Sequence, residues 1–410
     1  MSQPLTAKLP QSIDECKILK PIKLGGLTLK NRIIRAAAFG GANFDDLIKV
    51  HGEVARGGVA MTTIAYASVS SDGRSFESQI LLCEDQRENL QRLSDAVHSA
   101  GAAISIQLTH AGSFADRKVT GSQQVAPSSV FNPAGFDWPR QMTEDDMDRV
   151  VQNFSSSAKL VKECGFDAVE LHVGHGYLLS QFLSPHSNRR TDTYGGSIDN
   201  RLRFPARVYK DIRTVVGADF PILIKMNMDD GFQGGITLDD AKIVAKTFES
   251  LGANALVLSG GFVSRNGFYM LRGTTPLKSL ASAMPGMAKK LAVTLFGRWF
   301  VPTIPFEEAF FRESARDILK SVDNIPVCLL GGITSLSTME GAMSEGFSLV
   351  QMARALIHDP NMVKNIEDAL SHNKNIEIKS GCTHCNECVI ATLDPNRGIN
   401  CPIRDIENLR

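Results

Sequence analysis

The chain has no excess of either charge: lysine plus arginine number 44, and aspartate plus glutamate number 44. A nucleic acid or an acidic surface as partner calls for a basic field, and the overall balance supplies none. No uninterrupted apolar run is long enough to span a bilayer. The stretch from Met1 to Cys16 lacks the basic-then-apolar layout of a signal peptide. No Gly-x-Gly-x-x-Gly follows the first candidate strand, which lowers a doubly wound dinucleotide fold. Repeats of solenoid period and low-complexity tracts are also missing. Together these absences predict a soluble, cytoplasmic protein.

What is present is one large alternating domain. The 410 residues suffice for one large barrel and fall short of two typical enzymes. Short apolar runs at Ile33–Ala37, Val59–Ile64, Ala103–Leu108, Ala168–Leu171, Ile222–Met226, Ala255–Leu258, Val327–Leu330 and Leu349–Met352 read as strands. Helical patterns separate them. One starts at Thr143-Glu-Asp-Asp, a capping residue with acids in the first turn, and stops near Gly165; another starts at Thr237 and ends near Gly252. Eight strands alternating with helices predict a (β/α)8 TIM barrel. The expected organisation is an N-terminal extension (1–20), a barrel (21–372) with a long insertion after strand six (268–305), and a cysteine-rich tail (373–410).

Chemistry in such a barrel sits on the loops beyond the C-terminal strand ends. Polar residues fall there repeatedly: Gln107 and His110 on strand three, Lys225 and Asn227 on strand five, Ser259 on strand six, Gly331-Gly332 after strand seven, and Arg354 after strand eight. Strand four ends in the densest group, His172, His175 and Tyr177. Two imidazoles and a phenol can hold a polarised oxygen and deliver a proton. Read blandly, one of these is a satisfied core histidine. A zinc site with Glu170 fits no common spacing. Gly331-Gly332 with Arg354 suits a phosphate, or forms only a tight turn. Lys225 either faces an anion in the mouth or pairs with a carboxylate such as Asp229.

Cysteine use has two halves. Cys16, Cys83, Cys164 and Cys328 are scattered and read as small core residues. Cys382, Cys385, Cys388 and Cys401 follow C-x2-C-x2-C-x12-C, a ligand set for a structural zinc or an iron–sulfur cluster. The segment from Phe268 to Pro305, with Lys289-Lys290 and Arg298-Trp299-Phe300, is long for a βα connection. A lid over the pocket or a subunit contact in a homo-oligomer is favoured over a membrane-surface helix.

The order His172-x-x-His175-Gly-Tyr177-Leu-x-x-Gln-Phe-Leu-Ser-Pro185, then Asn188-x-Arg190 and Tyr194-Gly-Gly-Ser197, resembles the old yellow enzyme / NADH:flavin oxidoreductase family. Gln107-Leu-Thr-His-Ala-Gly112 and the strand Asn31–Phe39 match as well. The resemblance implies FMN on a (β/α)8 barrel, reduced by NADH or NADPH, and an enone-like substrate. It places FMN against Ala37, Ala38, Ala65, Gln107, Lys225, Gly331, Gly332, Ala353 and Arg354. It makes His172 and His175 the clamp on a carbonyl or nitro oxygen, and Tyr177 the proton donor to carbon. Where the family usually has a hydroxyl or thiol near the flavin, this chain has Ala38 and Phe39, which bears on flavin potential. The cysteine pattern is similar to that of trimethylamine dehydrogenase and 2,4-dienoyl-CoA reductase. That similarity implies a [4Fe–4S] cluster, with zinc the alternative. Those relatives continue into a nucleotide-binding region, whereas this chain ends at Arg410, so an external electron-transfer partner is the companion expectation.

Overall fold

The computed structural model describes residues 7–407 apart from 42, 134–136, 285, 301–302, 375 and 392–399. Parts of the expected extension (1–6), insertion (301–302) and tail (392–399 and 408–410) therefore lie outside the described residues. Eight parallel strands close into a barrel: β1 Ile33–Phe39, β2 Met61–Ser68, β3 Ala103–Thr109, β4 Ala168–Val173, β5 Ile222–Asn227, β6 Ala255–Ser259, β7 Val327–Leu330 and β8 Leu349–Met352. All eight expected runs are strands. The second begins two residues later than expected and runs four further, and its pairing with β1 shifts between Arg35 and Ala38.

Period-two alternation decides what fills the barrel. At the N-terminal end the inward positions are Ile34, Met61, Ala168, Leu223, Ala255, Cys328 and Leu349, packed as one apolar cluster. An antiparallel hairpin, Ile22–Leu24 with Leu27–Leu29, adds Leu24 and Leu29 to this cluster and plugs that end. Two to four residues further along these strands the inward positions become Glu170, His172, Lys225 and Gln351, joined by Gln107 of β3. The outward faces of the strands meet the helices in the main apolar core.

Local rules fix the helix starts that orient these strands. The helix Glu144–Glu163 opens with a capping box: the Thr143 hydroxyl accepts from the Asp146 amide, and the Asp146 carboxylate accepts from the Thr143 amide. Such a cap is worth about 1 kcal/mol. The Thr237 hydroxyl accepts from the Asp240 amide and caps Leu238–Ser250. Within the expected insertion after β6 the described residues include two α-helices, Leu277–Ala283 and Met287–Phe300. After β8 it returns over the barrel mouth through the short helix Glu387–Ala391. Of the scattered cysteines, Cys16, Cys164 and Cys328 are buried and Cys83 is half-buried.

Candidate active site

The polar half of the barrel opens into a largely apolar cavity of about 670 Å³. Its wall includes Ala37, Ala38, Gln107, His172, His175, Tyr177, Lys225, Ala353 and Arg354, all singled out from sequence. Ala65 is buried on β2 and does not line it. Gly331 and Gly332 are also absent from the wall; Leu330 lines it instead. Both glycines have left-handed φ, +100° and +81°. A Cβ on Gly331 would lie 2.5 Å from the Phe311 ring, and one on Gly332 2.7 Å from the Glu307 carbonyl oxygen. Their side-chain faces are thus filled by the segment Phe306–Phe311, which leaves only backbone for a phosphate.

His172 and His175 form one chain of contacts. The Thr109 hydroxyl lies 3.3 Å from His172 Nδ1, His172 Nε2 lies 2.9 Å from His175 Nδ1, and His175 Nε2 lies 2.7 Å from Ser259 Oγ. Burial, then the neighbouring His175 and Lys225, keep His172 far below the usual histidine range. Burial and Lys225 lower His175 to about 3. Both rings are therefore neutral at pH 7, with one N–H each. His175 takes φ +61°, and its amide donates to Asn227 Oδ1 at 2.9 Å. The following Gly176 also has positive φ, and its missing Cβ makes room for the Phe262 ring.

Tyr177 is buried against Tyr66 (ring centroids 5.2 Å), Phe114 (5.8 Å) and His172 (4.5 Å). Burial raises its phenol to about 12, partly offset by the nearby hydroxyls of Tyr66 and Ser75. It stays protonated across the neutral range and keeps a proton to give.

The partner of Lys225 is Glu170, at 3.1 Å, not Asp229. Glu170 is fully buried at the barrel centre. Its carboxylate also accepts from Gln107 Nε2 and from Gln351 Nε2, each at 2.6 Å. The carboxylate thus gathers a lysine and two amides at the cavity floor. Glu170, Gln351, Thr109 and Tyr66 were missed from sequence as site residues, yet Glu170 and Gln351 share the inward parity of His172 and Leu349. His110, by contrast, faces Asp72 at 3.6 Å.

Several residues that carry the motif turn out to be scaffold. Asn188 Nδ2 donates to the carbonyls of Phe182 (2.7 Å) and Tyr194 (2.8 Å), and Arg190 Nη1 donates to the Pro127 and Met142 carbonyls. Only glycine fits at 195, where a Cβ would lie 2.0 Å from the Arg190 carbonyl oxygen.

The cysteine-rich segment borders the cavity: Cys388 and Val389 line it beside Arg354. Arg354 Nη1 donates to Asn386 Oδ1 (2.6 Å) and to the Arg272 carbonyl (2.8 Å). Asn386 Nδ2 reaches the carbonyls of Leu271 and Thr274. Burial raises Cys388 to about 12, with Cys382, Cys385 and Cys401 close enough to push it further up. Four thiols within electrostatic reach of one another are a donor set suited to a cation, although among the described residues no three are arranged as a closed ligand group. His384 stacks on Phe306, with centroids 3.4 Å apart, rather than joining them.

FMN fits the residues present. Ala36, Ala37 and Ala38 leave flat space on one wall, Gln107 and Lys225 supply a polar edge, and Arg354 supplies a cation toward β8. The fold and this cavity define a (β/α)8-barrel oxidoreductase. The chain belongs to the NADH:flavin oxidoreductase / NADH oxidase family, whose model matches residues 17–263. It is accordingly an FMN-dependent enzyme drawing on NADH or NADPH. It is 39% identical to the 4,4'-dithiodibutanoate disulfide reductase of Rhodococcus erythropolis over 95% of both chains. Identity to the NADH oxidase of Thermoanaerobacter brockii is 31%, over 94% of this chain and 55% of that protein, so the chain spans about half of that relative. The fold matches the old yellow enzyme homologue from Zymomonas mobilis with a TM-score of 0.68 at 22% identity, covering 86% of this chain and 92% of that one.

Proposed function

We propose that the enzyme is of the ene-reductase type, reducing an activated C=C bond or a related acceptor at the His172/His175/Tyr177 wall. The observation that carries this reading is the convergence of two neutral imidazoles and one protonated phenol on a single largely apolar cavity. FMN, held by Gln107, Lys225, Ala353, Arg354 and the β1 alanines, supplies the hydride when bound. His172 donates to the oxygen of the acceptor through the ring nitrogen that otherwise faces His175. Ser259 and the Asn227 contact hold the His175 ring and backbone in place for the second bond. Tyr177 gives its proton to the carbon next to the polarised group, and Tyr66 and Ser75 stabilise the phenolate left behind. The apolar wall excludes water, which strengthens each of these bonds.

A second reading has one observation behind it: Cys388 stands on the cavity wall. Should Cys382, Cys385, Cys388 and Cys401 hold an iron–sulfur cluster, electrons would leave the cavity by that side to an external acceptor. Zinc there would staple the tail alone. An anaerobic visible spectrum before and after NADH or NADPH, then after an enone or a disulfide, tests both. Flavin bands that bleach with the nicotinamide and return with the enone support the first reading. Bands that return only with a one-electron acceptor, over an iron–sulfur background, support the second. The disulfide belongs in the screen because the Rhodococcus relative bears that activity in its name.

A further inference from the structure

We propose that the helix Met287–Phe300 docks the enzyme onto an anionic lipid surface. In a soluble protein the apolar stripe of a helix faces inward. Here the large apolar side chains face out: Met287 is 84% exposed, Leu291 58%, Leu295 62%, Phe296 53% and Trp299 87%. The spacing i, i+4, i+8 and i+12 puts four of them along one side. The seated side carries a glycine: a Cβ on Gly297 would lie 2.9 Å from Leu277 Cδ2. A contiguous exposed apolar face of this kind marks a surface that something covers.

Charge selects the occupant. From Phe262 to Phe306 the sequence has six basic residues, Arg265, Arg272, Lys278, Lys289, Lys290 and Arg298, and no acidic one. The chain as a whole is balanced, so the excess is local. Arg265 is engaged by His186 and Phe232, and Arg272 by Glu307, while Lys278 and Lys290 are exposed. A second copy across a two-fold axis would set this acid-free segment against itself, basic on basic. An anionic bilayer meets both features at once, with acyl chains for the apolar face, headgroups for the lysines and an interfacial position for Trp299. The seat of the helix, Leu277–Ala283, contributes Leu280 to the cavity wall. An apolar acceptor dissolved in the membrane would therefore reach the cavity beside the docking helix. The docking itself stands apart from the reaction assigned to the site.

The test is co-sedimentation of the full FMN-loaded chain with vesicles of phosphatidylcholine alone and of phosphatidylcholine mixed with phosphatidylglycerol. Recovery on the mixed vesicles is expected to be roughly tenfold higher or more, and to fall with salt. Trp138 and Trp299 are the only tryptophans. In a Trp138→Phe background, emission from Trp299 should shift to the blue on binding. Leu291→Asp with Leu295→Asp should abolish recovery while the flavin spectrum stays unchanged. If that variant loses its flavin, Lys278→Glu with Lys290→Glu should abolish the preference for anionic lipid. Equal recovery on both lipids, no recovery on either, or an unaffected aspartate variant would overturn the proposal. A concentration-dependent dimer abolished by the same aspartates would assign the face to a second copy and overturn it as well.

Discussion

The two ends of the barrel are built from the same eight strands and do opposite work. At the N-terminal end seven of the strands turn apolar residues inward, and a hairpin seals it with Leu24 and Leu29. Two to four residues further along, the inward positions hold a carboxylate, a lysine, two amides and a histidine, each of them paired. Buried polar groups of this density cost stability unless satisfied, so the sealed end supplies apolar burial that the open end gives up. Changes at the two ends should therefore separate cleanly into loss of activity and loss of fold.

The largest effect expected at the open end is from His172→Ala, which should slow oxidation of the reduced enzyme by an enone about 10²–10³-fold. Reduction by the nicotinamide should be far less affected, and stopped-flow absorbance distinguishes the two. At the closed end, Leu223→Ala should lower stability by about 2–5 kcal/mol in denaturant titrations, with the folded fraction turning over normally. A loss of turnover per folded molecule would break the division between the ends.

Glu170→Gln probes the seam between them. It leaves Lys225 buried without its counter-charge, a change of about 3–5 kcal/mol for such pairs. Thermal melting should fall, and FMN should become easier to reduce, because an unbalanced cation then faces it. A lower midpoint potential would contradict that placement of charge.

Acid should act on the open end first. His172 and His175 are held neutral by burial, with His175 lowered to about 3. The unfolded chain binds protons at these sites below about pH 6.5 and the folded chain does not. Their contribution to stability is fully present above pH 6.5 and is lost as the pH falls from there toward 3. A melting temperature that stays level over that window would contradict neutral buried rings. The smallest effect is expected from Ser259→Ala, which frees the outer nitrogen of His175; a rise in KM of a few-fold, with kcat little changed, would fit a positioning role.

Most of the barrel was legible because its signals are local. Apolar runs, capping residues at Thr143 and Thr237, and glycines at helix ends all act within a few residues. The His172/His175/Tyr177 group was legible for the same reason, being one turn of chain. What escaped was set by register across the barrel. Glu170 meets Lys225 and Gln351 only because β4 lies beside β5 and the barrel closes, whereas Asp229 is nearer to Lys225 in sequence and turns back to the Gly231 amide. Strand parity alone would have pointed Glu170 inward, beside His172. The glycine pair at 331 and 332 suggested an open phosphate cradle, but packing of Phe306–Phe311 against it depends on a connection with no readable pattern. The direction faced by Met287–Phe300 was also hidden, since an apolar stripe looks the same whether it turns in or out.

The most direct test of the site is a stopped-flow comparison of wild type and Tyr177→Phe in the two half-reactions. Reduction of the bound flavin by NADH or NADPH should be unchanged, and reoxidation by an enone should slow about 10²–10⁴-fold. Unchanged reoxidation in the variant would show that Tyr177 donates no proton to carbon, and would contradict the assignment of this wall to alkene reduction.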